Sequence, residues 1–157
     1  MEKLILDPCC GSKMFWFNKQ NESVLFADKR TESHILCDGR KLEIKPDIEA
    51  DFTNMPFADN SFKLVVFDPP HMDSLGEKSW MALKYGRLPD NWSEYIRKGA
   101  SECFRVLEPN GILIFKWNET DIRVTEILKC FDYEPLFGHP SGKQSKTHWI
   151  TFMKIAK

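Results

Sequence analysis

The chain has 157 residues, 42% apolar and 29% charged, and its 22 Lys and Arg against 23 Asp and Glu leave a formal net charge of -1. That length predicts a single domain over 1–157 with a substantial core. The composition excludes a disordered chain, and the lack of bulk positive charge means that any contact with nucleic acid must come from local patches.

Leu4-Ile5-Leu6 is a short apolar run stopped by Asp7-Pro8 and reads as a buried strand. Cys10-Gly11-Ser12 is a turn, and Ser12 is placed to cap a helix running to about Lys19, with Met14 to Phe17 buried. Val24-Leu25-Phe26-Ala27 is a second strand ending at Asp28. Residues 29–46 carry little pattern beyond a short helix around 31–36, and 48–50 read as a third strand ending at Asp51. Residues 62–67 are apolar apart from Lys63 and form a strand that stops at Asp68-Pro69-Pro70, since proline offers no ladder donor. Residues 71–91 show no period and contain Gly76, Gly86 and Pro89; so long a loop in a compact domain usually carries function. Ser93 is placed to cap a helix over 94–107, with Tyr95, Ile96, Ala100, Cys103, Phe104 and Leu107 at helical spacing. Pro109-Asn110-Gly111 ends it; then come a strand over 112–117, a helix over 121–130, and strands over 135–138 and 147–155.

Continuously apolar strands alternating with helices predict a Rossmann-like α/β fold: a doubly wound, mostly parallel sheet with helices on both faces. The last two of the seven strands are joined by a polar Pro-Ser-Gly loop and break the alternation, so the final strand is expected to run antiparallel. No run of about 18 apolar residues exists, so no membrane span is predicted, and the first residues lack the apolar region and cleavage site of a signal peptide. Cys9, Cys10, Cys37, Cys103 and Cys130 are odd in number and contain no C-x-x-C pair. That argues against a zinc site or a disulfide framework and for reduced thiols in a cytoplasmic setting. No metal is expected.

Ligands of open α/β sheets bind outside the carboxyl ends of the strands. Asp7, Asp28, Asp51 and Asp68 each follow a predicted strand and would share one edge. A lone aspartate there is an ordinary turn residue; four in succession outline a site. Asp28 stands 17 residues after Gly11, where a carboxylate takes both hydroxyls of an adenosine ribose. Gly11 lets the backbone approach a ligand closely. The lack of a full G-x-G-x-x-G disfavours a dinucleotide. Asp68-Pro69-Pro70-His71 is the most specific feature. Its prolines lock the backbone after the strand, so that the Asp68 carboxylate and the Pro69 carbonyl can accept both hydrogens of one planar amino group. The nitrogen lone pair then loses its delocalisation and aims at an electrophile. His71 follows, able to stack on a ring or hydrogen-bond it. The plain alternative is a proline-rich strand stop.

Together these segments resemble the class I S-adenosylmethionine (SAM)-dependent methyltransferases, and within them the amino-methyltransferases of nucleic acids. Leu6-Asp7-Pro8-Cys9-Cys10-Gly11-Ser12 resembles their first motif, and Asp28 matches the acidic residue after the second strand. Asp51-Phe52 with Met55-Pro56-Phe57 resembles the adenine-binding segment, and Asp68-Pro69-Pro70-His71 the Asp-Pro-Pro-Tyr motif. The run from Phe104 to Gly111 resembles the helix-to-strand segment that follows. The resemblance implies SAM as cofactor. Asp7, Pro8, Cys9 and Gly11 would lie at its methionine end and Asp28 on the ribose. Asp51 would accept from the adenine amino group, with Phe52 or Phe26 on the adenine ring. It implies Asp68, Pro69, Pro70 and His71 as the catalytic group that positions the target nitrogen. Methyl transfer is an in-line displacement in which alignment supplies most of the effect. The chain departs from the family pattern at Lys13, where many relatives carry a second glycine, and at His71, where an aromatic is usual.

Residues 78–98 interleave Lys78, Lys84, Arg87, Arg97 and Lys98 with Trp80, Tyr85 and Trp92, a combination suited to single-stranded nucleic acid or to a plain solvated loop. Trp80, Lys84, Tyr85, Arg87 and Trp92 are the candidate substrate residues, within a recognition loop over 71–92. A second group, Lys143, Lys146 and His148 near His139, reads as a charged turn. Three functions follow: methylation of an exocyclic base amine in DNA or RNA, methylation of a small molecule or protein amide, or a SAM-binding subunit that needs a partner. A homodimer or partner subunit is one source of target recognition.

Overall fold

In the computed structural model, residues 2–72, 86–140, 142 and 144–156 are described. Strand β1 (Ile5–Asp7) is an inner strand, flanked in parallel by β2 (Val24–Asp28) and β6 (Phe62–Phe67). Further strands are β5 (Ile48–Glu49), β7 (Leu107–Asn118), β8 (Phe137–Pro140) and β9 (Thr147–Met153). They complete a seven-stranded sheet of order β5-β2-β1-β6-β7-β9-β8. β9 runs antiparallel to both of its neighbours; the other pairs are parallel. The parallel sheet with an antiparallel last strand is as expected.

Helices on both faces, also expected, are not found among the described residues. The described helices are α1 (Trp92–Val106), the short α2 (Val124–Ile127) and a 3-10 turn (Leu128–Cys130). They pack on one face, where Ile96, Ala100, Phe104 and Ile127 meet Phe67, Leu113, Phe115, Trp117 and Phe152 in one core. On the other face Val24 and Phe26 are covered by Cys10 and Trp16. The helix expected over 12–19 is instead a chain of turns. Gly11 and Lys13 hold left-handed φ values of 50° and 60°, which breaks helical propagation. Tertiary contacts then claim the aromatics: Trp16 stands edge-on to Phe26 and Phe15 edge-on to Trp149.

The short helix expected around 31–36 is a strand. β3 (Glu32–Ile35) and β4 (Lys41–Ile44) form a separate antiparallel hairpin. Its signal was period two: Leu42 and Ile44 are buried while Lys41 and Glu43 are exposed, and Asp38-Gly39 supplies the turn. The helix expected over 121–130 starts late because residues 118–122 are otherwise engaged. Asn118 Oδ1 accepts from Thr120 N–H and hydroxyl, and the Trp117 indole donates to the Ile122 carbonyl at 2.9 Å. α1 starts at Trp92, with Asn91 rather than Ser93 at its cap. β7 runs on from Leu107 through the turn expected at Pro109-Asn110-Gly111, with Asn110 at φ 67°. All five cysteines are free. No helix among the described residues is long and apolar enough to cross a membrane.

Candidate active site

The parallel strands bring Asp7, Asp28 and Asp68 to one sheet edge; β5 ends at Glu49, so Asp51 lies two residues further along the same edge. A cavity of about 320 Å³ opens there. Of the residues expected at the site, Pro8, Cys9, Gly11, Asp28, Phe52, Asp68, Pro69, Pro70, His71 and Arg87 line it. Asp7, Asp51 and Trp92 do not line it. Trp80, Lys84 and Tyr85, with most of the 71–92 loop, lie outside the described residues. The bracketing ends of that loop are tied together, Leu88 N–H donating to the Met72 carbonyl at 2.8 Å.

Asp28 Oδ2 accepts from Gly11 N–H at 2.9 Å and Oδ1 from Arg30 N–H at 3.0 Å. Oδ1 also accepts from Arg30 Nε at 3.4 Å, which leaves a further lone pair on Oδ2 for a ribose hydroxyl. Phe52 is fixed by Phe67 and Tyr95, ring centroids 5.1 and 4.7 Å away, and presents an apolar wall. Phe26, the other candidate for an adenine ring, lies on the opposite face under the Lys13 ammonium, 4.3 Å from its centroid. Burial pushes the Asp51 carboxyl up, but bonds from the N–H and hydroxyl of Thr53, with Lys29 nearby, outweigh it and hold the carboxyl below its usual value.

Asp7 is wholly buried behind the cavity wall. Its carboxylate accepts from the Trp16 indole at 2.7 Å and from Cys9 N–H at 3.3 Å. Burial nonetheless raises its pKa to about 8, with Asp68 and Asp28 adding like charge. Burial also raises Asp68, to about 6, against the pull of the Lys116 ammonium 3.7 Å away. Burial and Lys116 together lower His71, whose ring stands edge-on to Trp117. Burial, with Asp7 and Asp68, pushes the Cys9 thiol well up.

Lys116 is the residue that sequence reasoning missed. It sits in β7, in a run that reads as apolar strand, yet its ammonium lines the cavity and lies 5.4 Å from the Phe15 ring and 5.5 Å from Trp149. One charge inside an apolar run at a strand end was the available signal. A second missed residue is Arg105 on α1. It donates to the carbonyls of Met55 and Phe57 at 3.0 and 2.7 Å and pairs with Glu102 and Asp59. Glu102 in turn accepts from Met55 N–H at 2.7 Å. The two side chains therefore clamp the segment that carries Phe52. Of the second basic group, His148 is buried with Nε2 3.2 Å from Glu119, and Lys143 lies outside the described residues.

These groups suit SAM: a carboxylate for the ribose, an apolar ring wall for the adenine, and a side-chain-free approach at Gly11. No protein-family model and no curated protein matches the sequence. Solved structures do match. A SAM-dependent methyltransferase of Methanosarcina mazei is 14% identical, with a TM-score of 0.55 over 98% of this chain and 92% of its own. One from Aquifex aeolicus is 14% identical, with a TM-score of 0.52 over 98% and 84%. The 1,6-didemethyltoxoflavin-N1-methyltransferase of Burkholderia thailandensis, solved with S-adenosylhomocysteine, is 12% identical, with a TM-score of 0.54 over 97% and 71%. At these identities the likeness is one of architecture, and the chain has the Rossmann-like fold of the SAM-dependent methyltransferases.

Proposed function

We propose that this protein is a SAM-dependent methyltransferase acting on an exocyclic amino nitrogen of a nucleic-acid base: adenine N6, cytosine N4 or guanine N2. The observation that carries the reading is the Asp68-Pro69-Pro70-His71 segment on the wall of the cavity that also holds Asp28 and Gly11. Asp28 would hold the cofactor's ribose, Phe52 its adenine and the Pro8–Gly11 turn its methionine end. SAM supplies an electrophilic methyl group when bound. The chain's own residues position the nucleophile. Asp68, ionised, and the Pro69 carbonyl accept the two amino hydrogens and direct the lone pair across the cavity. His71, held neutral by burial and Lys116, offers a ring face or a hydrogen bond to the base. The amino group loses one proton after transfer, and Asp68 is the adjacent acceptor for it. A base would reach the cavity single-stranded or flipped from its stack.

The test is transfer of labelled methyl from SAM to DNA, RNA, total protein and small metabolites in parallel, with Asp68→Ala alongside. Label in DNA or RNA that is lost in the variant supports the reading. Label in nucleic acid that survives Asp68→Ala overturns the mechanism, and label confined to small molecules overturns the substrate. The second reading, methylation of a small molecule, draws on the Burkholderia enzyme, whose name gives N1 of 1,6-didemethyltoxoflavin as its target.

A further inference from the structure

We propose that a basic groove beside the candidate active site binds the phosphodiester backbone of a single-stranded nucleic acid; the choice of partner rests on the base-methylation reading above. The groove, about 670 Å³, lies between the turns after Gly11 and the β3–β4 hairpin. Lys13, Lys19, Arg40, Lys41 and Lys45 line it against one acid, Glu43. Five cations and one anion give the lining a formal charge of +4 in a chain whose total is -1, so charge is strongly segregated. Arg40 and Lys41 have acidic neighbours, Asp38 at 2.6 Å and Glu43 at 3.6 Å. Lys19 and Lys45 are exposed and make no ion pair among the described residues. Lys13 leans over the Phe26 ring, donates to the Lys19 carbonyl at 3.4 Å and makes no ion pair among the described residues. A concave concentration of cations attracts a polyanion and releases its condensed counterions.

Two further observations point to nucleic acid rather than to an isolated anion. Gly11, Ser12 and Met14 line both the groove and the candidate active-site cavity, so a strand tracking the groove arrives at the mouth of the site. The same run of turns exposes Met14 and Phe17, and Phe17 offers its whole ring to solvent, an aromatic surface on which a base can stack. Neither the groove nor Phe17 belongs to the 71–92 loop.

The experiment measures anisotropy of fluorescein-labelled single-stranded DNA and RNA dodecamers with the full chain and S-adenosylhomocysteine, between about 50 and about 200 mM salt. Lys19→Gln/Lys45→Gln removes two exposed charges, and its circular dichroism melt checks that it folds. Each lost counterion is worth about 0.7 in the slope of log affinity against log salt for single strands, so the slope should fall by about 1.4. Across that range the wild type then loses about sevenfold more affinity than the variant. Lys63→Gln/Lys129→Gln, with the same charge change outside the groove, should keep the wild-type slope. Equal slopes in all three proteins, equal losses in both variants, or no binding by the wild type at low salt each overturn the groove. Labelled methyl transfer run beside it separates the two claims. Label in nucleic acid with an unchanged slope defeats the groove alone. Lys19- and Lys45-dependent binding with label only in small molecules defeats base methylation and leaves the groove standing.

Discussion

Lys116→Met should raise the midpoint at which Asp68 ionises, from about 6 to about 7–8. The ammonium lies 3.7 Å from the carboxylate, with side-chain exposures of 28% and 21%. At that separation the attraction is about 4.5 kcal/mol at an effective dielectric of 20 and about 1.1 kcal/mol in bulk water. The part-exposed setting favours the lower end. At about 1.4 kcal/mol per pKa unit, removing the charge is worth about 1–2 units. The other titratable groups that interact with Asp68 are Asp7 and Cys9 at the end of β1, and neither supplies a replacement cation. Methionine keeps an unbranched apolar stem and removes only the charge that lies near the Phe15 and Trp149 rings. The assay is the pH dependence of the Asp68 carboxyl carbon signal in aspartate-labelled protein, assigned by its loss in Asp68→Asn. Lys116→Arg should retain the wild-type midpoint. On the proposed mechanism the ionised Asp68 is the stronger acceptor and the proton acceptor after transfer, so the acid limb of methyl transfer should move up with it in Lys116→Met and recover at alkaline pH. A midpoint that stays at about 6 in Lys116→Met would refute the electrostatic role.

Three other outcomes follow from the packing. The Asp7 carboxyl loses its proton near 3.8 when unfolded and near about 8 when folded, so the folded chain holds the extra proton between. Stability should therefore fall as pH rises through that window, and Asp7→Asn, which keeps an acceptor for Trp16, should flatten the fall in Tm; parallel Tm profiles would contradict this. Gly99→Ala would place its Cβ 2.7 Å from Phe52 Cδ1 and 2.9 Å from Phe67 Cζ. It should cost about 1–3 kcal/mol in urea unfolding and weaken S-adenosylhomocysteine binding; a neutral effect on both would show that the helix and ring can part freely. Arg105→Met removes the donors to Met55 and Phe57 and leaves Glu102 without its cation. Amide exchange over 51–59 should rise and stability fall by about 1–3 kcal/mol, and unchanged exchange there would remove the clamp.

The clearest parts of the fold were legible because they obey local rules. The strand over 62–67 is a continuous apolar run ended by prolines, and it appears with those bounds as β6. α1 shows its helical spacing, and Asp28 and Asp68 fall on the cavity because a strand end determines where a residue stands whatever the partners are. Other features depend on partners far along the chain. The run over 12–19 looks helical on its own, but Phe15, Trp16 and the left-handed Lys13 take conformations set by Trp149, Phe26 and Asp7. Asp7 carries the motif yet is buried behind the wall, and Asp51 turns to Thr53, since side-chain direction is decided by neighbours that spacing does not name. The Lys116–Asp68 pair joins residues 48 positions apart across β6 and β7, and the basic groove gathers Lys13 and Lys19 with a hairpin that begins at Glu32. Residue type and period determined the strands and their chemistry. Strand order and packing alone decided which charges meet, because electrostatic energy depends on distance in space rather than along the chain.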